Sequence, residues 1–205
     1  MQDNLKLICF DLNKTLIKEN TWLELNKAMG MTVEEDQAMF DLYSAGKLTY
    51  MDWQKELERI YIERGQATKE NILKIINQYT FVPGAMEVVD YLKTKGYLVS
   101  LISGSIDLLV EKVAKELNID YFSANNSFSF DSNGYLSTID CLGEDTQVKV
   151  LQLQEQCKNL NINVIDAACI GDGDNDLEIF KLSGHGITFT GSKICLLYTS
   201  PSPRD

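Results

Sequence analysis

The chain is short of positive charge: 19 Lys and Arg stand against 30 Asp and Glu, for a net charge of -11. Such a balance argues against nucleic acid or an anionic membrane as a main partner, because like charges repel. No apolar run approaches the roughly 18 residues of a membrane span. The start, Met1-Gln2-Asp3-Asn4, lacks a basic stretch leading into a hydrophobic segment and cleavage site, so no secretory leader is expected. The five Cys are irregularly spaced with no CxxC pair, which fits reduced, mostly buried thiols in the cytoplasm. Internal repeats and low-complexity segments are also missing. With 44% hydrophobic and 24% charged residues in 205, the composition is that of a soluble chain with one core domain and an insert.

Residues 195–205, from Cys195 to Asp205, resemble a translated sequencing-library adapter, codon for codon. They are set aside as a scar rather than natural sequence; a natural Pro/Ser-rich tail is the alternative. The reading frame is then expected to be cut near Lys193, and Cys195 leaves the cysteine count.

Four segments read as buried strands: residues 5–10, 97–102 and 164–170, and a shorter one at 186–189. Between them Ile106, Leu109, Val110, Val113 and Leu117 recur at helical spacing, as do Ala85, Val88, Val89 and Leu92. Strand-helix alternation predicts an α/β fold, a doubly wound parallel sheet covered on both faces. Residues 17–82 break the alternation. Thr32 with Glu35, and Thr49 with Asp52, resemble capping boxes that open helices. Apolar stripes (Trp53, Leu57, Ile60, Tyr61; Ile72, Ile75, Ile76, Tyr79) complete an all-α insert of four helices. Pro83-Gly84 marks the return to the core. The domains are thus 1–16 with 83–194, and an inserted cap at 17–82. Residues 128–140, with Asp131-Ser132-Asn133-Gly134 inside, predict a hairpin.

In open α/β sheets, ligands bind beyond the carboxyl ends of the strands. Asp11, Ser103 and Asp172 each stand at such an end. A carboxylate at Asp11 can attack a phosphomonoester, although an Asp there also fits a turn cap. Ser103-Gly104-Ser105, read as a strand end opening a helix, could hold phosphoryl oxygens through its hydroxyl and backbone N–H groups, or simply cap the helix. Lys149, in an expected helix after Glu144-Asp145-Thr146, could neutralise nucleophile and phosphate; alone it reads as a solvated surface Lys. Gly171-Asp172-Gly173-Asp174-Asn175-Asp176 packs three acids into five residues, which a divalent cation explains. The spacing mimics the start of an EF-hand, but Leu177 and Ser183 occupy the positions where that loop needs Gly and Glu. Hard Mg²⁺, shared with phosphate and water, fits better.

Nucleophile, helical insert, Ser, Lys and acidic loop, in that order, resemble the haloacid dehalogenase superfamily, and within it the phosphoserine-phosphatase-like branch with a helical cap. The resemblance spans residues 5–193. It implies a Mg²⁺-dependent phosphatase acting on a small phosphorylated metabolite through an aspartyl phosphate. Asp11 would be nucleophile and metal ligand. Asp172 and Asp176 would serve the metal, and the Asn13 carbonyl would ligate it. Ser103, Gly104, Lys149 and Asn175 would hold phosphate, with Lys149 also counted as catalytic.

Asn13 is the departure. The family's phosphatases carry Asp there, whose side chain protonates the leaving oxygen and then activates water. An amide has no usable pKa near neutrality, and general acid-base catalysis contributes about 10²–10⁴ in rate. Turnover of alkyl phosphates is therefore expected to be slow. Aryl or acyl phosphates, whose leaving groups need no proton, should suffer less at the first step. Phosphoserine is not favoured: where phosphoserine-specific relatives place an acid and a cap Arg, this chain has Asn20, with Glu19 one position off, and Lys55. A second reading is a non-catalytic relative that binds a phospho-ligand or Mg²⁺ and acts through a partner. A third is a base error at codon 13 of an ordinary phosphatase. His185, expected in a loop, Cys9 and Cys169 in strands, and Trp22 and Trp53 in cap packing are assigned no chemistry.

Overall fold

A computed structural model describes residues 5–188; the adapter-like segment 195–205 lies outside them. The chain runs β1 (Leu7–Phe10), α1 (Thr21–Ala28), α2 (Val33–Ser44), α3 (Tyr50–Arg64), α4 (Lys69–Ile76), α5 (Ala85–Thr94), β2 (Leu98–Ile106), α6 (Asp107–Glu116), β3 (Tyr121–Phe130), β4 (Leu136–Cys141), α7 (Asp145–Asn159), β5 (Ala167–Gly171), α8 (Leu177–Leu182) and β6 (His185–Thr188). The sheet order is β4-β3-β2-β1-β5-β6. Every pairing is parallel except the β3–β4 hairpin at one edge.

All four residues of β1 are buried because both faces are covered. Ile8 and Phe10 join a core with Val89 of α5 and Val110 and Val113 of α6. Leu7 and Cys9 point the other way, into a core with Leu153 and Cys157 of α7 and Phe180 of α8. This is the period-two alternation of a strand between two helical layers. The central position of β1 matters for the site. Phe10 pairs with Leu101 on one side and Ile170 on the other. Asp11 and Asp172, just beyond β1 and β5, therefore leave the sheet beside the last residues of the longer β2.

Helices α1–α4 follow one another without an intervening strand, as the residue pattern requires. Thr32 and Glu35 form a reciprocal capping box at α2. Thr49 caps α3 through the Asp52 N–H, and its hydroxyl donates to the Asp52 carboxylate, so the return bond to the backbone is missing. Leu57, Tyr61, Ile72 and Ile76 are buried. Helix α3 also packs against β4, and the Glu58 carboxylate accepts the Ile139 N–H at 2.5 Å.

Three local expectations are corrected. Residues 164–166 form a 3-10 turn rather than strand. β1 begins only at Leu7, so β5 has its first partner at Ala167, and the Lys6 N–H instead takes the Asp166 carbonyl. Ile165 faces out, 65% exposed. β2 does not stop near Ser103 but runs on to Ile106, with an irregular register against β3 between those residues. Lastly, His185 is not in a loop: it starts β6 opposite Ala168. Of the short strand expected at 186–189, Phe189 lies outside the described residues.

Candidate active site

The ends of β1, β2 and β5 meet a cavity of about 300 Å³ whose walls include Asp11, Asn13, Trp22, Gly104, Asp172 and Asn175. Asp11 follows β1 directly and its N–H is held by the Ile170 carbonyl of β5. The turn after it folds back: the N–H groups of Thr15, Leu16 and Ile17 all reach the Leu12 carbonyl, and Lys14 takes a φ of 56°. That tight return aims both Asp11 and Asn13 at the cavity.

Lys149 lies in the first turns of α7 and is fully buried. Its ammonium donates to Asp11 Oδ1 at 2.8 Å and to Asp176 Oδ1 at 2.7 Å. A buried cation is tolerated only when paired and hydrogen-bonded. Burial pulls the Lys149 ammonium down, but attraction to Asp11, Asp176 and Asp145 outweighs it and holds the group well above its ordinary value. The carboxylates respond oppositely. Burial raises Asp11 to about 7; Lys149 counters this and Asp176 adds to it. Burial, then Asp176, also raises Asp172.

Asp11, Asp172 and Asp176 can each present one oxygen so that the three lie within 4.8 Å of one another. Three hard carboxylate oxygens converging in a partly buried site fit Mg²⁺ by donor type; burial first, with the Asp176 charge adding to it, weakens the acidity of Asp11 and Asp172. Asp176 is fixed from two sides, since its Oδ2 accepts the Gly173 N–H at 3.2 Å. Its carboxylate packs so closely on Gly171 that a Cβ there would overlap it.

Asn13 uses its carbonyl oxygen inward. Oδ1 accepts the Thr21 N–H at 3.0 Å and the Thr21 hydroxyl at 2.5 Å. A backbone N–H can only donate, so the oxygen of the amide must face Thr21. Asn13 itself lines the cavity.

The remaining expected residues divide. Asn175 lines the cavity and donates to Asp145 Oδ2 at 2.8 Å. Gly104 also lines it, and its carbonyl accepts from Trp22 Nε1 at 3.1 Å and Asn126 Nδ2 at 2.9 Å. Ser103 is fully buried and absent from the lining, its Oγ accepting the Ser105 N–H at 3.1 Å. It caps no helix, because α6 starts only at Asp107.

Sequence reasoning missed two participants. Asp145, buried at the start of α7, accepts from Asn125 as well as Asn175, and its carboxylate fills the space above Gly104. An acid beside Glu144 at a helix start reads as an ordinary first-turn charge. Trp22, assigned to packing, instead lines the cavity and bonds Gly104. The signal available was its place at the start of the first helix after the nucleophile turn.

The likenesses to known proteins agree with this geometry. Residues 8–181 match the family of haloacid dehalogenase-like hydrolases. A phosphoserine phosphatase of Methanocaldococcus jannaschii is 31% identical over 196 residues, covering 95% of this chain and 90% of its own. Two solved structures superpose with a TM-score of 0.77 over 96% of this chain and 91% of theirs. One is a phospho-aspartyl intermediate analogue of phosphoserine phosphatase, 28% identical, and the other a substrate-bound phosphoserine phosphatase complex, 27% identical. A central strand delivering Asp11 to a buried Lys and two further acids, on a fold shared at that extent, places the chain among the haloacid dehalogenase-like hydrolases, in their phosphoserine-phosphatase-like branch.

Proposed function

We propose that the protein is a cytoplasmic, Mg²⁺-dependent phosphatase that hydrolyses a small phosphomonoester through an aspartyl phosphate on Asp11, slowed because Asn13 stands at the general acid-base position. The observation that carries this is the buried trio of Asp11, Lys149 and Asp176, with Asp172 beside it. Burying two acids and a Lys without use is costly. In this reading residues 17–82 form a cap over a core made of 1–16 and 83–194.

Asp11 Oδ2 is the oxygen left for attack, since Lys149 occupies Oδ1. Lys149 orients the carboxylate and offsets charge as the phosphoryl group arrives. Gly104 and Asn175, which line the cavity, would meet the transferred group; Ser103 lies buried behind that lining, and its hydroxyl would have to reach past it to bind a phosphoryl oxygen. Mg²⁺, held by Asp11, Asp172, Asp176 and the Asn13 carbonyl, would supply electrostatic stabilisation of the phosphoryl oxygens. Asn13 contributes a hydrogen bond through its NH₂ but no proton. The leaving oxygen must depart as an anion or draw a proton from water, and the water that later attacks the aspartyl phosphate has no base. Both steps slow, the second enough for the intermediate to persist.

The test compares the chain with Asn13→Asp on p-nitrophenyl phosphate and a panel of small phosphomonoesters, with and without Mg²⁺. A gain of about 10²-fold or more that needs Mg²⁺ supports the reading. If neither form turns over, the second reading leads: a phospho-ligand binder acting through a partner, which the amide at position 13 favours.

A further inference from the structure

Behind the catalytic cavity lies a larger one, of about 530 Å³, between α1, α2 and α3. Asn20, Trp22, Phe40 and Tyr50 belong to the walls of both, so the two are adjacent. The larger cavity is aromatic. Phe40 and Trp53 stack edge-on with ring centroids 6.3 Å apart, and Tyr50 meets Trp53 at 6.5 Å. Leu23, Val33 and Leu57 complete its apolar surface. Among the described residues no Lys or Arg lines it. A charged residue, Asp36, does line it and accepts from Asn26 Nδ2 at 2.6 Å. A carboxylate on the ligand would find no counter-charge in this space and would face Asp36. A flat, uncharged ring would find offset and edge-on partners.

A second, independent observation concerns the bond that breaks. Thr21 engages the Asn13 Oδ1, and Asn13 lines the catalytic cavity, so the NH₂ is the group this side chain has left to offer there. That group can stabilise a departing anion by hydrogen bonding, but it cannot give up a proton. It therefore suits a leaving oxygen that is already a weak base.

We propose that the substrate class of this site is an aryl phosphate, a phosphomonoester of a phenolic ring whose body occupies the aromatic cavity between α1, α2 and α3. This rests on the phosphatase reading above and adds the identity of the leaving group. In the first step an Asp11 oxygen forms a bond to phosphorus. The phosphorus–aryl oxygen bond breaks, and the electron pair leaves with the aryloxide, which accepts from Asn13 Nδ2. In the second, water attacks the aspartyl phosphate and regenerates the carboxylate. The two protons of that water end on the phenol and on the released hydrogen phosphate.

The experiment measures kcat/KM for four probes: 2-naphthyl phosphate, 2-phenylethyl phosphate, O-phosphoserine and acetyl phosphate. The expected result is naphthyl above phenylethyl by about 10²-fold or more, a gap that Asn13→Asp narrows because it restores a proton donor. Naphthyl should also exceed acetyl phosphate, and Phe40→Ala, at a half-exposed position that the fold tolerates, should cut that ratio about tenfold. If acetyl phosphate is hydrolysed while naphthyl phosphate is no better than phosphoserine, the aryl assignment is overturned and the phosphatase reading stands. If acetyl phosphate is not hydrolysed and does not label Asp11, both fall.

Discussion

Lys149 and Asp11, 138 residues apart in sequence, meet at 2.8 Å in the interior, with Asp176 closing the other side of the ammonium at 2.7 Å. The helix that carries Lys149 and the strand that ends just before Asp11 share a hydrophobic core through Cys9, Leu153 and Cys157. This buried ion pair is thus set by the same packing that builds the fold.

Removing that ammonium leaves buried carboxylates uncompensated. Lys149→Met is expected to lose about 3–5 kcal/mol of stability in metal-free buffer, read as a fall in the midpoint of a urea titration. Part of the loss should return with Mg²⁺, which can take over the neutralisation. Lys149→Arg should not restore activity, since a planar guanidinium does not fit a site shaped for a point charge.

Trapping of the intermediate follows from Asn13. With acetyl phosphate carrying a labelled phosphoryl group, the protein should accumulate label that hydroxylamine releases, as an acyl phosphate requires. Asp11→Asn should accumulate none, and Asn13→Asp should accumulate less because water attack is faster. Equal labelling of the Asp11→Asn protein would place the nucleophile elsewhere.

The raised carboxyl pKa values fix the sign of a pH effect. Asp11 titrates near 3.9 when unfolded and at about 7 when buried in the metal-free fold. Between these values the native state binds more protons than the unfolded state, so metal-free stability falls as pH rises from about 4 to about 7. Asp172, also raised by burial, acts in the same direction. A cation that displaces these protons should stabilise more as pH rises through that window. Melting temperatures with Mg²⁺ and with a chelator, at several pH values, check this; a pH-independent difference would refute it.

Gly104 has no room for a side chain, because a Cβ would enter the Asp145 carboxylate. Gly104→Ala is expected to cost about 1–3 kcal/mol. It should also lower kcat/KM by displacing Asp145 from Asn175. Thermal melts and steady-state kinetics on the same preparation separate the two effects.

Much of the site could be read from residues alone because its chemistry is local. An acid directly after the apolar run that becomes β1, and three acids in one glycine-rich loop, need no knowledge of packing. Lys149 was harder. A Lys in a helix belongs to solvent by default, and only the convergence of α7 on β1 makes it a buried partner. Asp145 and Trp22 escaped for the same reason, since their roles are contacts with the distant Gly104. The strand ends shifted at residues 103 and 164 because register, not composition, decides where a ladder stops. Ala167 is where β1 begins to offer partners, and β2 keeps pairing with β3 to Ile106.

The hydrogen bonds from Thr21 to Asn13 Oδ1 bear on how readily this site could change its chemistry. An Asp at position 13 could present one oxygen to Thr21 unchanged and the other to the cavity. Amide and acid would then differ by a single terminal group on a framework already positioned for either. Position 13 therefore behaves as an exchangeable part: one nucleotide separates the two forms, and neither requires the first turn of α1 to be rebuilt.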